Sequence, residues 1–337
     1  MTTFSRFKPF MWFVVAIVGC EDAMVAPESG SNQTIAAAVT YSDWSPAINV
    51  EAIPGTHPDF NTSALDGCPF VSRDGKSFFM ASTRPDGEGG IDIWMVTRAS
   101  PDDPWGEPVN VGPPINSAAN DFCPTISRDG HRFYFVSTRT GGCGGADIYV
   151  TRFRSDGQLD VPENVGCQVN SAADEASPFP LPQRGTGQVL YFSSARPGGF
   201  AADAPDATVG DSDIYMSVAH GGTFGPAQLV SGVNSAAEDA QPNVRRDGLE
   251  IFFFSTRAGT LGGPDIYAAT RTTADEVWSA PVNLGPNVNS GAGETRPSLS
   301  WDGTTLYFGS NRNGGEGNTG QADIYVTTRA VVRGAAD

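Results

Sequence analysis

The sequence predicts an all-β chain, a five-bladed β-propeller of four-stranded antiparallel blades whose last blade is closed by an N-terminal strand. Three observations predict it. One pattern is written five times, from Asn61, Asn116, Asn170, Asn234 and Asn289, with an acid five residues on (Asp66, Asp121, Glu175, Asp239, Glu294) and a proline eight on (Pro69, Pro124, Pro178, Pro242, Pro297). A repeat of roughly 50 residues, with turn signals between short apolar runs, is the mark of a propeller blade. Each copy also holds a run that is apolar without alternation, such as Phe133-Tyr134-Phe135 or Ile251-Phe252-Phe253-Phe254. A strand apolar on both faces needs a sheet packed against each face, as in a ring of blades. Third, the last copy stops at Thr327-Thr328-Arg329, while an outer-strand sequence lacking a blade, Trp44 to Val50, stands at the other end of the chain. Joining the two in one blade removes an open edge.

From the N-terminus, Arg6 and Lys8 precede the apolar run Pro9 to Ile17, which is too short to span a bilayer and suits a signal peptide. It ends in Ile17-Val18-Gly19-Cys20, which resembles the bacterial lipobox; that resemblance implies cleavage after residue 19 and lipid on Cys20. Residues 20–42, rich in Ala, Ser and Gly, read as a flexible tether. The propeller then occupies 43–329, with blades at about 61–112, 116–166, 170–230, 234–285 and 289–329 plus 43–50, and residues 330–337 form a tail.

Within a copy the first, innermost strand follows the proline (Phe70-Val71-Ser72, Thr125-Ile126-Ser127). An Asp-Gly hairpin turn comes next in four copies, at Asp74-Gly75, Asp129-Gly130, Asp247-Gly248 and Asp302-Gly303. The third copy has Gln183 to Gly187 there, which predicts a longer turn. After the apolar second strand, a glycine-rich turn leads to the third strand, Asp92-Ile93-Trp94 in the first copy and Asp-Ile-Tyr from Asp147, Asp213, Asp265 and Asp323 in the others. An outer strand led by an aromatic closes the blade, as in Trp105 to Val111 and Trp278 to Leu284, with Leu159 and Phe224 replacing the tryptophan in blades two and three.

These strings resemble a known family, the TolB-type, WD40-like β-propeller repeats of bacterial envelope proteins. The likeness rests on Pro-x-x-Ser-x-Asp-Gly (Pro124 to Gly130), Tyr-Phe-x-Ser-x-Arg (Tyr191 to Arg196) and Gly-Gly-x-Asp-Ile-Tyr (Gly144 to Tyr149), and it covers about 43–329. The resemblance implies a propeller used mainly for protein contacts at the cell envelope. The extra N-terminal domain of TolB and the peptidoglycan-binding domain of other members have no counterpart in the sequence.

The second strand of each copy ends in an arginine: Arg84, Arg139, Arg196, Arg257 and Arg312. Up-and-down strand order brings it to the sheet edge where the first-strand acid and the third-strand aspartate lie. Five triads are expected: Asp66, Arg84, Asp92; Asp121, Arg139, Asp147; Glu175, Arg196, Asp213; Asp239, Arg257, Asp265; Glu294, Arg312, Asp323. A constellation present in every blade holds blades together, whereas chemistry needs it once. Export makes Cys68, Cys123, Cys143 and Cys167 disulfide candidates with three possible pairings; Cys143 with Cys167 is favoured, both lying in loops of the second copy, and Cys68 with Cys123 occupy the same position in neighbouring copies. The long third-blade loop carries Asp203, Asp206 and Asp211 among glycines, a candidate calcium loop that matches no established spacing, so no metal and no cofactor are expected.

The formal charge is -17, and it becomes more negative when residues 1–19, with Arg6 and Lys8 and no acid, are removed. Such a surface repels nucleic-acid phosphates. The innermost strands carry no acid after the proline, no Gly-x-Ser-x-Gly elbow is present, and the three histidines, His57 in a linker, His131 in a hairpin and His220, read as surface residues. The expected function is therefore a non-catalytic, lipid-anchored interaction module of the cell envelope, facing periplasm or outer membrane, with envelope protein partners and membrane contact only through its lipid. The alternative is a carbohydrate-binding or glycoside-hydrolysing propeller that uses the channel mouth for a glycan.

Overall fold

The computed structural model describes residues 39–154, 158–183, 187–200, 211–313 and 320–332. Cys20, residues 1–19, Asp203 and Asp206 lie outside the described residues.

Five antiparallel sheets stand around one axis, each with its strands in sequence order from axis to rim except for the outermost strand of the fifth. The first blade comprises Asp66–Val71, Ser77–Ser82, Asp92–Thr97 and Val109–Asn110. The second comprises Asp121–Ile126, Arg132–Ser137, Asp147–Arg152 and Glu163–Asn164. The fourth comprises Asp239–Val244, Glu250–Ser255, Asp265–Thr270 and Val282–Asn283. In the fifth, Glu294–Leu299, Thr305–Ser310 and Asp323–Thr328 are joined by Ile48–Asn49, with Ile48 opposite Val326 and Asn49 opposite Tyr325. The predicted latch is formed.

The third blade departs from the others. Its hairpin is longer, Glu175–Gln183 with Gly187–Ser194, and its third strand Asp213–His220 pairs with two short segments, Thr223–Phe224 and Gln228–Leu229. The outer strands are shorter than their sequences suggested, two residues each in the other blades, because prolines such as Pro108 and Pro281 cannot donate to the ladder. Thr40–Tyr41, expected in the tether, pairs with Val331–Val332, expected in the tail. The latch thus continues one sheet beyond the blade.

Second strands are buried on both faces, as their unbroken apolar runs require. Apolar clusters fill every gap between neighbours, including the one that closes the circle. There Phe78 of blade one meets Tyr307 of blade five edge-on, ring centroids 5.2 Å apart, alongside buried Val50 and Ile324. Arg329 is sandwiched between Tyr41 and Trp44, with centroid distances of 3.7 and 4.5 Å. It also grips Glu250 of blade four through both terminal nitrogens, at 2.8 and 2.7 Å. The equivalent Arg98 and Arg271 stack on Trp105 and Trp278 at 3.9 and 4.1 Å. The Trp44–Arg329 stack is thus the same blade contact assembled from opposite chain ends.

Every innermost strand carries a bulge at the residue before its proline. In blade one the register runs Gly67 to Ala81 and then Phe70 to Phe79, so Cys68 and Pro69 together oppose Met80. Cys68, Cys123, Ser177, Gln241 and Arg296 all take positive φ, between 48° and 60°. Proline has no N–H for the ladder, and a bulge is where a strand tolerates that loss. The bulge re-aims these five side chains toward the axis.

Candidate functional site

Five carboxylate–arginine pairs ring the edge where the innermost strands begin. Arg84 Nη2 donates to Asp66 Oδ1 at 2.5 Å, and Arg139 Nη2 to Asp121 Oδ1 at 2.8 Å. Arg196 and Arg312 lie 3.1 Å from Glu175 and Glu294, and Arg257 pairs with Asp239. All five carboxylate side chains are 0% exposed. Their second oxygen is occupied too: the Ser117 amide and hydroxyl both donate to Asp121 Oδ2 at 2.7 Å, and Ser235 and Thr62 do the same for Asp239 and Asp66. Each arginine also bonds the serine at the end of its own strand and a carbonyl of the preceding loop, as Arg139 does with Ser137 and Ile115.

The third member of the predicted triads is different. Asp92, Asp147, Asp213 and Asp265 form no ion pair with Arg84, Arg139, Arg196 and Arg257 among the described residues. They turn into the glycine-rich loop instead. Asp147 Oδ2 accepts the Cys143 amide at 2.5 Å and the Asn164 side chain at 3.3 Å; Asp265 Oδ2 accepts from the Leu261 amide and from Asn283, both at 2.7 Å; Asn49 donates to Asp323 at 3.4 Å. The loop passes so close that a Cβ on Gly142 would lie 1.6 Å from Asp147 Oδ2, so only glycine fits. The guanidinium is instead covered by the aromatic two residues after each aspartate: Trp94, Tyr149, Tyr215, Tyr267 and Tyr325, at 4.7 to 5.2 Å. Burial, with Asp239 and Asp211 nearby, pushes the Asp213 carboxyl up to about 6, and burial raises Asp265 likewise.

The opening asparagine of each repeat is a bracket between blades. Asn116 Oδ1 accepts from the Ile93 amide and its Nδ2 donates to the Ile93 carbonyl, both at 2.9 Å. Asn170, Asn234 and Asn289 bracket Ile148, Ile214 and Ile266, and Asn61 brackets Ile324 across the closure. A side-chain amide here completes the ladder as an added strand would.

Both disulfides are formed, Cys143–Cys167 within blade two and Cys68–Cys123 between blades one and two beside the axis. Of the candidate calcium loop only Asp211 is described, and it is exposed; no group of three or more His, Cys, Asp or Glu is placed to hold a metal among the described residues.

A cavity of about 30 Å³ lies on the axis, lined by the bulge residues, the prolines and the residues after them. No carboxylate is among these. At the hairpin-turn end, Trp301 of blade five sits between Arg73 of blade one and Arg128 of blade two, at 5.0 and 5.5 Å. Blades five and two are not neighbours around the ring, so this contact crosses the axis and caps the channel. Neither this cap nor the unusual cation Arg296 at a bulge was anticipated; comparing the residue before each proline across the copies (Cys, Cys, Ser, Gln, Arg) would have exposed the latter.

No family model and no curated protein matches the chain. Solved structures do. A xylan β-1,4-xylosidase from Bacillus halodurans C-125 is 14% identical with a TM-score of 0.53, over 80% of this chain and 54% of that one. An α-L-arabinofuranosidase from Lactobacillus brevis is 13% identical with a TM-score of 0.51, over 83% and 94%. TolB from Acinetobacter baumannii is 16% identical with a TM-score of 0.48, over 78% and 53%. The likeness to the first two is one of fold alone, and no family follows from it.

Proposed function

We propose that this chain is a non-catalytic, lipid-anchored β-propeller that serves as a protein-interaction module in the bacterial cell envelope. The observation that carries the non-catalytic reading is the burial of its mouth carboxylates. A glycosidase needs two carboxyl groups that reach the sugar from opposite sides of the scissile bond, about 5–9.5 Å apart. Here the five candidates are 0% exposed and held by arginine together with serine or, at Asp66, threonine. The axial cavity, about 30 Å³, is an order of magnitude below the few hundred Å³ of small-molecule sites. The propeller likeness to glycoside hydrolases is a likeness of scaffold.

The two disulfides support an oxidising compartment, in line with an export signal ending at Cys20. For the contact surface, the cap of Trp301 flanked by Arg73 and Arg128 has the composition that dominates binding energy at interfaces. The test uses residues 21–337 as bait in envelope extracts, with Trp301→Ala alongside. Recovery of one protein in stoichiometric amount, lost with Trp301→Ala while the melting temperature holds, supports the reading. Hydrolysis of aryl xylosides or arabinofuranosides, or retention of glycan alone, overturns it. Cys20→Ser should leave the protein unprocessed or soluble; unchanged membrane fractionation refutes the anchor.

A further inference from the structure

We propose that the axial cavity is a binding site for a small monovalent anion, a halide or a one-carbon carboxylate, held by the guanidinium of Arg296. Eleven of the described basic side chains lie toward the hairpin-turn side and five are consumed by the mouth carboxylates; Arg296 alone stands at the bulge ring. It forms no ion pair and no side-chain hydrogen bond among the described residues, and its Nε is fully covered without a partner. Its guanidinium reaches across the blade junction to Gly67, where a Cβ would lie 3.1 Å from Nη1. Burial draws its proton affinity down, with no carboxylate offsetting the loss. An arginine still keeps its charge in a protein. Arg296 is half-buried and lines the cavity, and a partly desolvated cation with no counter-charge beside it attracts an anion.

The rest of the lining offers donors rather than acceptors. Gln241 Oε1 is taken by the Arg296 amide at 2.8 Å and Asn243 Oδ1 by the Leu299 amide at 3.2 Å, which leaves the NH₂ of each as the free end. Ser298 adds a hydroxyl, while that of Ser177 donates to Cys123 Sγ at 3.5 Å, and the exposed arginines of the cap add positive potential from the turn side. The turn carboxylates Asp74, Asp129 and Asp302 are each engaged by the hydroxyl of Ser72, Ser127 or Ser300. A cavity of about 30 Å³ exceeds the 10–15 Å³ that one water requires and admits an ion of one to three heavy atoms. This site is independent of the interaction reading above.

The test is thermal unfolding of the full chain in detergent, titrated with sodium chloride or sodium formate against sodium gluconate at equal ionic strength, together with crystals soaked in sodium bromide. A ligand of the folded state raises Tm by about 2 °C or more per tenfold in concentration beyond half-saturation. That rise is expected in chloride or formate and absent in gluconate. Arg296→Gln should abolish it, and Arg296→Lys should keep the chloride response and weaken that of formate, because the planar fork is lost. Bromide should appear in contact with the Arg296 guanidinium. Equal curves in all three salts, an unchanged response in Arg296→Gln, or no axial bromide overturns the proposal; should Arg296→Gln fail to fold, the wild-type bromide result decides it.

Discussion

Replacing Arg257 by alanine tests whether the carboxylate–arginine ring holds the blades. Arg257 donates to Ser255 Oγ at 2.8 Å, to the Val233 carbonyl at 2.5 Å and to Asp239, and it stacks on Tyr267 at 5.2 Å. Truncation leaves Asp239 Oδ1, in a side chain 0% exposed, without its cation. Breaking a buried pair by removing one partner costs about 3–5 kcal/mol. The lower part of that range applies, because Ser235 still donates twice to Oδ2 at 2.6 Å and the arginine itself is 17% exposed, so water can enter. The expected loss is about 3 kcal/mol, a fall of more than a hundredfold in the folding constant and about 6 °C or more in Tm. Urea unfolding at constant m reads it directly. The double variant Asp239→Leu/Arg257→Met should lose less than the sum of its single variants, because no charge is left stranded. A stability of Arg257→Ala within 0.5 kcal/mol of wild type, roughly the scatter of surface substitutions, would refute the structural role.

Three further outcomes follow from the geometry. Removing Cys68–Cys123 as a serine pair should cost about 4 kcal/mol and Cys143–Cys167 about 3, since the loops they close span 55 and 24 residues; denaturant midpoints showing the reverse order would contradict the loop-closure account. Asp213 has its folded-state pKa raised to about 6, so its favourable contribution is full below the ordinary value near 3.8 and is lost as pH rises through 6. Asp213→Asn should therefore gain on wild type between pH 4 and pH 7, and a difference in Tm that stays flat over that window rules the shift out. Trp44→Ala removes a residue 8% exposed that stacks on Arg329 and meets Phe252 edge-on, and should cost about 3 kcal/mol; a loss below 1 kcal/mol, measured by urea unfolding, would mean the terminal latch is dispensable.

Much of the candidate site was legible because the repeat writes it five times. The acid and the arginine fall on adjacent strands at one sheet edge in any up-and-down blade, so Asp121 with Arg139 and its four equivalents could be paired from spacing alone. The aspartate of the third strand was misassigned for a local reason. Backbone amides of the glycine-rich turn stand nearer to Asp147 than the guanidinium does, and sequence spacing does not show which way a loop folds back. Spacing placed Tyr149 on the third strand and gave it no role, yet its ring covers the arginine.

The sequence by itself determined the number of blades, the order of strands within a blade and the partner of the orphan outer strand, because these depend on periodicity along the chain and on pairing every edge. Tertiary structure alone decided what meets on the axis. The Cys68–Cys123 bridge, the cap of Trp301 over Arg73 and Arg128, and the uncompensated charge of Arg296 arise between blades that are 55 or more residues apart. Their common cause is closure of the ring, which turns one equivalent position per blade inward to the same small space, where unlike residues become neighbours.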